Sequence, residues 1–150
     1  MSTAPARFIG DLLSRWRSRF SPSKSGHLRV GVRGEKLAAR FLRRQGFKIL
    51  YRNFRGRHGG EIDLVCRDGD TLVFVEVKTR TSEDFGRPLE AVRQRQQLRI
   101  SQGGLAWLRL LGNPDVLFRF DVVEIVMAPG MAPKVELVRN AFQLSEPYVY

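Results

Sequence analysis

The segment TLVFVEVKTR (71–80) constrains this chain more than any other. Leu72, Val73, Phe74, Val75 and Val77 are apolar at consecutive positions, so both faces of a strand built from them need cover. That pattern marks a central strand with elements packed on either side. Two charged residues, Glu76 and Lys78, interrupt it. A charge inside such a strand is costly unless it is paired or holds a cation, so these two residues need a partner.

The preceding segment supplies one. EIDLVCR (61–67) and TLVFVEVKTR flank Asp68, Gly69 and Asp70, which predicts a hairpin. A two-residue turn centred on Gly69 and Asp70 sets Asp63 opposite Glu76 and Glu61 opposite Lys78. Centring the turn on Asp68 and Gly69 shifts the pairs but keeps all four charges on one face, because side chains alternate along a strand. Directly opposed residues have Cβ atoms roughly 4.5 to 5.5 Å apart. Two carboxylates at that spacing repel unless they share a cation. Cross-strand ion pairs on a surface hairpin are the structural alternative, and the apolar character of 72–77 weighs against it.

An all-oxygen donor set suits Mg²⁺ or Mn²⁺, which need only one or two carboxylates beside waters and phosphate oxygens. Such an ion polarises a phosphate and acidifies bound water. Lys78, on the same face as Glu76, is placed to position that water or to offset transition-state charge. Glu35, expected in the first turn of the preceding helix, can complete the shell through water or hold a second ion. Catalytic candidates are therefore Glu35, Asp63, Glu76 and Lys78.

Around this hairpin the chain reads as one α/β domain. Leu37, Ala38, Phe41 and Leu42 form a stripe ending at Gly46, which predicts a helix over 31–45. FKILYRN (47–53) predicts a strand, and RGRHGG (55–60) a Gly-rich loop. Pro88 introduces a second helix whose Leu89, Val92, Gln96, Ile100, Gly103 and Trp107 follow one face, with Gly103 and Gly104 either weakening it or marking close packing. Residues 116–128 predict a fourth strand and 134–138 a fifth. The order α-β-β-β-α-β implies a mixed sheet flanked by helices. Residues 29–142 form this domain, 1–28 a basic amphipathic extension and linker, and 143–150 a tail. The extension, with Phe8, Ile9, Leu12, Leu13, Trp16 and Phe20 among arginines, suits nucleic acid, an anionic membrane or its own domain.

Charge points to a polyanionic partner. The formal net charge is +11, and it is unevenly placed: residues 1–60 carry 15 lysines and arginines against two acids, whereas 61–150 carry 11 against 13. Lys36, Arg40, Arg43 and Arg44 on the first helix and Arg52, Arg55 and Arg57 after it are the expected phosphate contacts. No apolar run approaches the roughly 18 residues of a membrane span. One cysteine excludes an internal disulfide and, with two histidines, falls short of a structural zinc site. The N-terminus lacks the apolar core of a secretory signal, so a cytoplasmic protein is expected.

The set Glu35, GEIDLV (60–65) and VFVEVKTR (73–80) resembles the PD-(D/E)XK nuclease superfamily, with Asp63, Glu76 and Lys78 as its signature. Over about residues 29–127 the chain is more closely similar to the bacterial YraN-like family, related to Holliday junction resolvase-like nucleases. The resemblance implies a restriction-endonuclease-like core and a metal held by Asp63, Glu76 and the Val77 carbonyl. It further implies an endonuclease acting on nucleic acid, DNA being the expected form, and includes a homodimer among its expectations. Two departures stand out. Ile62 takes the place of the usual proline, and Gln96 stands where a lysine is expected, so that helix can touch phosphate or water but adds no charge there. A non-catalytic nucleic-acid-binding protein that keeps the fold is the alternative. His58 reads as a loop residue, Cys66 as a buried small apolar one, and Asp121 as a structural hydrogen-bonding group.

Overall fold

In the computed structural model, residues 29–81, 94–144 and 147–148 are described. Helix α1 (Arg29–Arg44) leads into strands β1 (Lys48–Arg55), β2 (Glu61–Asp68) and β3 (Thr71–Arg80). Helix α2 (Gln94–Leu110) is followed by β4 (Phe118–Val126) and β5 (Lys134–Phe142). The sheet runs in sequence order, β1-β2-β3-β4-β5, antiparallel throughout except for the β3/β4 pair, which is parallel. This is the expected α/β order with the fifth strand present and four residues longer than 134–138. Proposed helical positions Pro88, Leu89 and Val92, and the extension 1–28, lie outside the described residues.

Helix α1 ends at the predicted Gly46 cap. Gly46, at φ 91°, closes α1: its N–H donates to the Arg43 carbonyl and that of Phe47 to Leu42, both at 3.0 Å. This is a Schellman cap, with Phe47 buried in the same cluster as Leu42. Gly112 and Asn113 cap α2 in the same way, on Arg109 and Leu108.

The sheet is covered on both sides. On one face, α1 packs Ala38, Ala39 and Leu42 onto Leu64, Cys66, Val73, Val75, Val123 and Ile125. On the other, α2 packs Ile100, Leu105, Trp107 and Leu108 onto Ile62, Val65, Leu72, Phe74, Phe120 and Val122. The doubly apolar reading of β3 therefore holds: positions 72–75 are at most 2% exposed. The helical glycines mark close packing. A Cβ on Gly103 would stand 3.0 Å from the Glu61 backbone, and one on Gly104 3.1 Å from the Phe74 and Phe120 rings. Among the described residues no helix is long and apolar enough to cross a membrane.

Candidate functional site

The hairpin adopts the register in which Asp68 pairs with Thr71. Gly69 takes the positive φ, 58°, that a Gly-X turn requires at its first central position. Asp63 is thus carried opposite Glu76, but the backbone ladder stops one rung earlier, at Leu64/Val75. Beyond it the Asp63 side chain takes over the strand's role: Oδ2 accepts the Val77 N–H at 2.8 Å.

The cause is a slip in β2. Val65 and Ile62 both face α2 while Leu64 faces α1, so strict alternation fails at Asp63. On β1, Arg52 pairs with Leu64 and Phe54 with Ile62, which places Asn53 opposite Asp63; it sits at φ 54°. Asparagine tolerates this left-handed conformation better than most residues. The slip corrects the expectation that Glu61 joins the cluster. Glu61 instead turns to α2 and β1, meeting Arg99 Nη2 at 2.6 Å and Arg55 Nε at 3.8 Å.

Glu76 is 7% exposed, and its Oε1 accepts two donors, Lys78 Nζ at 2.9 Å and Gln96 Nε2 at 2.7 Å. Its carboxylate lies within hydrogen-bonding reach of Asp63. Burial pushes the Asp63 carboxyl well above its ordinary range, and the charges of Glu76 and Glu35 add to that, against the opposing Val77 N–H. Gln96, expected as a phosphate contact, here orients Glu76.

Glu35 approaches from the other side. Helix α1 begins at Arg29, so Glu35 lies in its second turn rather than the first. Gly34 permits the approach, because any Cβ there would collide with the Thr79 side chain of β3. Burial raises the Glu35 pKa; a hydrogen bond with Asn53 and the charge of Arg52 lower it, and Glu76 raises it again. The first helix, β1, β2 and β3 thus converge at the carboxyl end of β3, the end at which open α/β sheets bind ligands. Asn53 was not expected here; a lone asparagine in a strand-forming segment carries no signal of its partner.

A groove of about 500 Å³ is lined by Lys36, Arg40, Arg43, Arg44 and Arg52. The helical members recur at spacings of three and four, which aligns them on one exposed face. Arg52 joins groove to site, since its charge acts on Glu35. Five of the seven expected phosphate-contact cations are thereby gathered. Arg55 is paired with Glu61, and Arg57 is exposed in the loop without lining the groove.

The remaining residues take structural places. His58 is exposed, and burial pushes the Cys66 thiol up to about 12. Asp121 is fully buried, with Oδ1 accepting Arg119 Nε at 2.9 Å and the Asn140 N–H at 2.8 Å. Among the described residues no three His, Cys, Asp or Glu side chains are arranged to hold one ion. A cation here would rest on two carboxylates and neutral oxygens.

Residues 34–125, which include Glu35, both hairpin strands and α2, match the model of Uncharacterised protein family UPF0102. The chain belongs to this family. A UPF0102 protein of Geobacter sulfurreducens is 52% identical over 116 residues, covering 77% of this chain and 90% of its own length. One from Geobacter metallireducens is 50% identical over 116 residues, covering 77% and 93%. A UPF0102 protein of Rhodococcus jostii is 47% identical, also over 116 residues, covering 77% and 98%. The matched residues include those of the candidate site, and the family-level resemblance read from the sequence is correct.

Proposed function

We propose that this UPF0102 protein is a divalent-metal-dependent endonuclease acting on phosphodiester bonds of nucleic acid, with DNA as the expected substrate. The juxtaposition of Asp63 and Glu76 where β2 parts from β3, in a domain that also carries a groove of five cations, supports this reading. Buried like charges are costly, and a divalent cation would relieve that cost.

The donor chemistry fits Mg²⁺ or Mn²⁺, held by Asp63, Glu76 and the Val77 carbonyl, with water and phosphate oxygens completing the shell. A bound ion of this kind supplies positive charge to a scissile phosphate and makes water a better nucleophile at neutral pH. Lys78 and Gln96 fix the Glu76 carboxylate by sharing Oε1. Lys78 also brings an ammonium to the place where phosphate charge grows during cleavage. Glu35, held by Asn53 and raised by burial, is placed to bind a water at the edge of the site. The groove cations bind the phosphate backbone without reading its sequence.

A second reading, a nucleic-acid-binding protein that does not cut, is favoured by one observation: both donors on Glu76 Oε1 are intramolecular, and among the described residues no three acids are arranged to hold one ion. A cleavage assay with Mg²⁺ or Mn²⁺ on branched, flapped, duplex and single-stranded DNA and RNA separates the two, with Glu76→Ala purified in parallel. Metal-dependent products from the wild type and a loss of at least about 100-fold in the variant are expected, the scale of removing a key charge-stabilising group. Binding without products from either protein would establish the second reading.

A further inference from the structure

The charge on β3 does not end at Lys78. Strand alternation places Arg80 on the face shared by Glu76 and Lys78. The parallel register sets Lys78 beside Glu124 of β4, and Glu124 lies beside Glu136 of β5. Glu124 is only 7% exposed, and its Oε1 receives Arg80 Nε at 2.8 Å. A row of alternating charges, Glu76, Lys78, Glu124 and Arg80, therefore extends from the carboxylates toward the end of the sheet.

Two features distinguish Arg80 from a cation that merely closes a pair. It stands at the carboxyl end of a parallel strand pair, where open α/β sheets bind ligands. Its contact with Glu124 runs through Nε. The two terminal nitrogens of a guanidinium form the fork that chelates phosphate oxygens. Four residues of strand put Arg80 about 13 Å from Glu76, on β3 rather than on the α1 side where the groove lies.

We propose that Arg80 is a phosphate-binding residue beyond Glu76 along β3, held in place by Glu124. This rests on the nuclease reading above and deepens it. A nucleic acid held at Arg80 extends past Glu76 toward the end of β3, so the preferred substrate carries nucleotides on that side of the bond presented to the carboxylates.

The test is the salt dependence of binding to a duplex DNA by the full chain, in chelator so that nothing is cut. Loss of one phosphate contact lowers the slope of log K against log salt by about 0.9. Arg80→Gln is expected to lower it by that amount, and Glu124→Gln, which keeps the Arg80 charge, to leave it unchanged. If Arg80→Gln fails to fold because Glu124 is left buried and unpaired, the double variant Arg80→Gln/Glu124→Gln removes both charges and carries the same expectation. A merely structural pair would lower the thermal midpoint and leave the slope alone, and that result overturns the assignment. In that event Arg40→Gln/Arg44→Gln should still lower the slope by about 1.8, so the nucleic-acid reading survives. A wild type that binds no DNA at low salt overturns both.

Discussion

Two aspartates in this sheet perform the same backbone task in opposite company. Asp63 accepts the Val77 N–H where β2 leaves the β3 ladder, and Asp121 accepts the Asn140 N–H where β5 slips against β4. Each slip includes an asparagine in the left-handed region, Asn53 at φ 54° and Asn140 at φ 49°. Asp121 has Arg119 Nε on its oxygens at 2.9 and 3.1 Å, and Arg119 reaches on to Asp68, which Arg139 also binds. Both arginines further stand over the Phe47 ring, at 5.8 and 5.1 Å from its centroid. Asp63 has Glu76 and Glu35 instead. A carboxylate can therefore mend a broken strand rung in the company of arginines. The crowding at Asp63 has no such backbone purpose, and it is this contrast with the Asp121 cluster that the proposed ligand site rests on.

The comparison breaks most severely at Asp121. Removing one partner of a buried, hydrogen-bonded ion pair costs about 3–5 kcal/mol, and Asp121→Ala also orphans the Asn140 N–H. A loss on the order of 3 kcal/mol by urea unfolding is expected, with Asp68 retaining part of the Arg119 charge. A loss below about 1 kcal/mol would mean that the two aspartates are equivalent after all. Asp63→Asn should act in the opposite direction. It removes like-charge crowding while keeping an oxygen for Val77, so a gain of about 1 kcal/mol is expected at neutral pH, within the range for relieved functional-site strain. Loss of metal-dependent activity should accompany that gain.

The pH dependence sharpens the contrast. Hydrogen bonding to Arg119 is the chief cause of the lowered Asp68 pKa, and Arg139 adds to it. A depressed folded value stabilises the protein above the ordinary carboxyl pKa of about 4, and this contribution is lost as pH falls through the depressed value. Asp63 and Glu35 are raised, so the native state holds protons there that the unfolded chain has released. Their contribution is greatest below about pH 4 and is lost as pH rises through the raised values. In chelator, Asp63→Asn should flatten the neutral-side decline and Asp68→Asn the acid limb. Glu124, raised first by burial, preserves some neutral-side slope in both. Added Mg²⁺ should flatten the wild-type decline by favouring the ionised carboxylates. A decline unchanged by Asp63→Asn would show that Asp63 is not its source.

What the residues announced in advance follows the range of the forces involved. Strand β3, its double cover and the Gly69 turn are local signals, so the hairpin was legible, with the Asp63/Glu76 opposition in one of its two possible registers, the one the structure adopts. The slip at Asp63 was not, because alternation is assumed wherever a strand is inferred and neither Asn53 nor Asn140 marks a break by itself. That is why Glu61 was expected among the acids. Groove formation was legible because its helical cations lie on one face of a single helix. Pairings such as Arg119 with Asp68, 51 residues apart, depend on tertiary placement that no local pattern encodes.

Glu61 provides the control with the smallest expected effect. It is an acid on the same strand as Asp63, two residues away, and simple alternation would give both one face and one function. In the folded chain it pairs with Arg99 and Arg55, and its side chain is 39% exposed. Exposed pairs contribute about 0 to 1 kcal/mol, since solvent screens them and both side chains lose entropy. Glu61→Gln should therefore shift stability by under about 1 kcal/mol and leave the affinity for Mn²⁺ unchanged, whereas Asp63→Asn should lower that affinity. A Glu61→Gln protein that binds Mn²⁺ as weakly as Asp63→Asn would place Glu61 among the ligands. The slip at Asp63 would then no longer separate ligand from bystander, and the contrast between the two aspartates would lose its meaning.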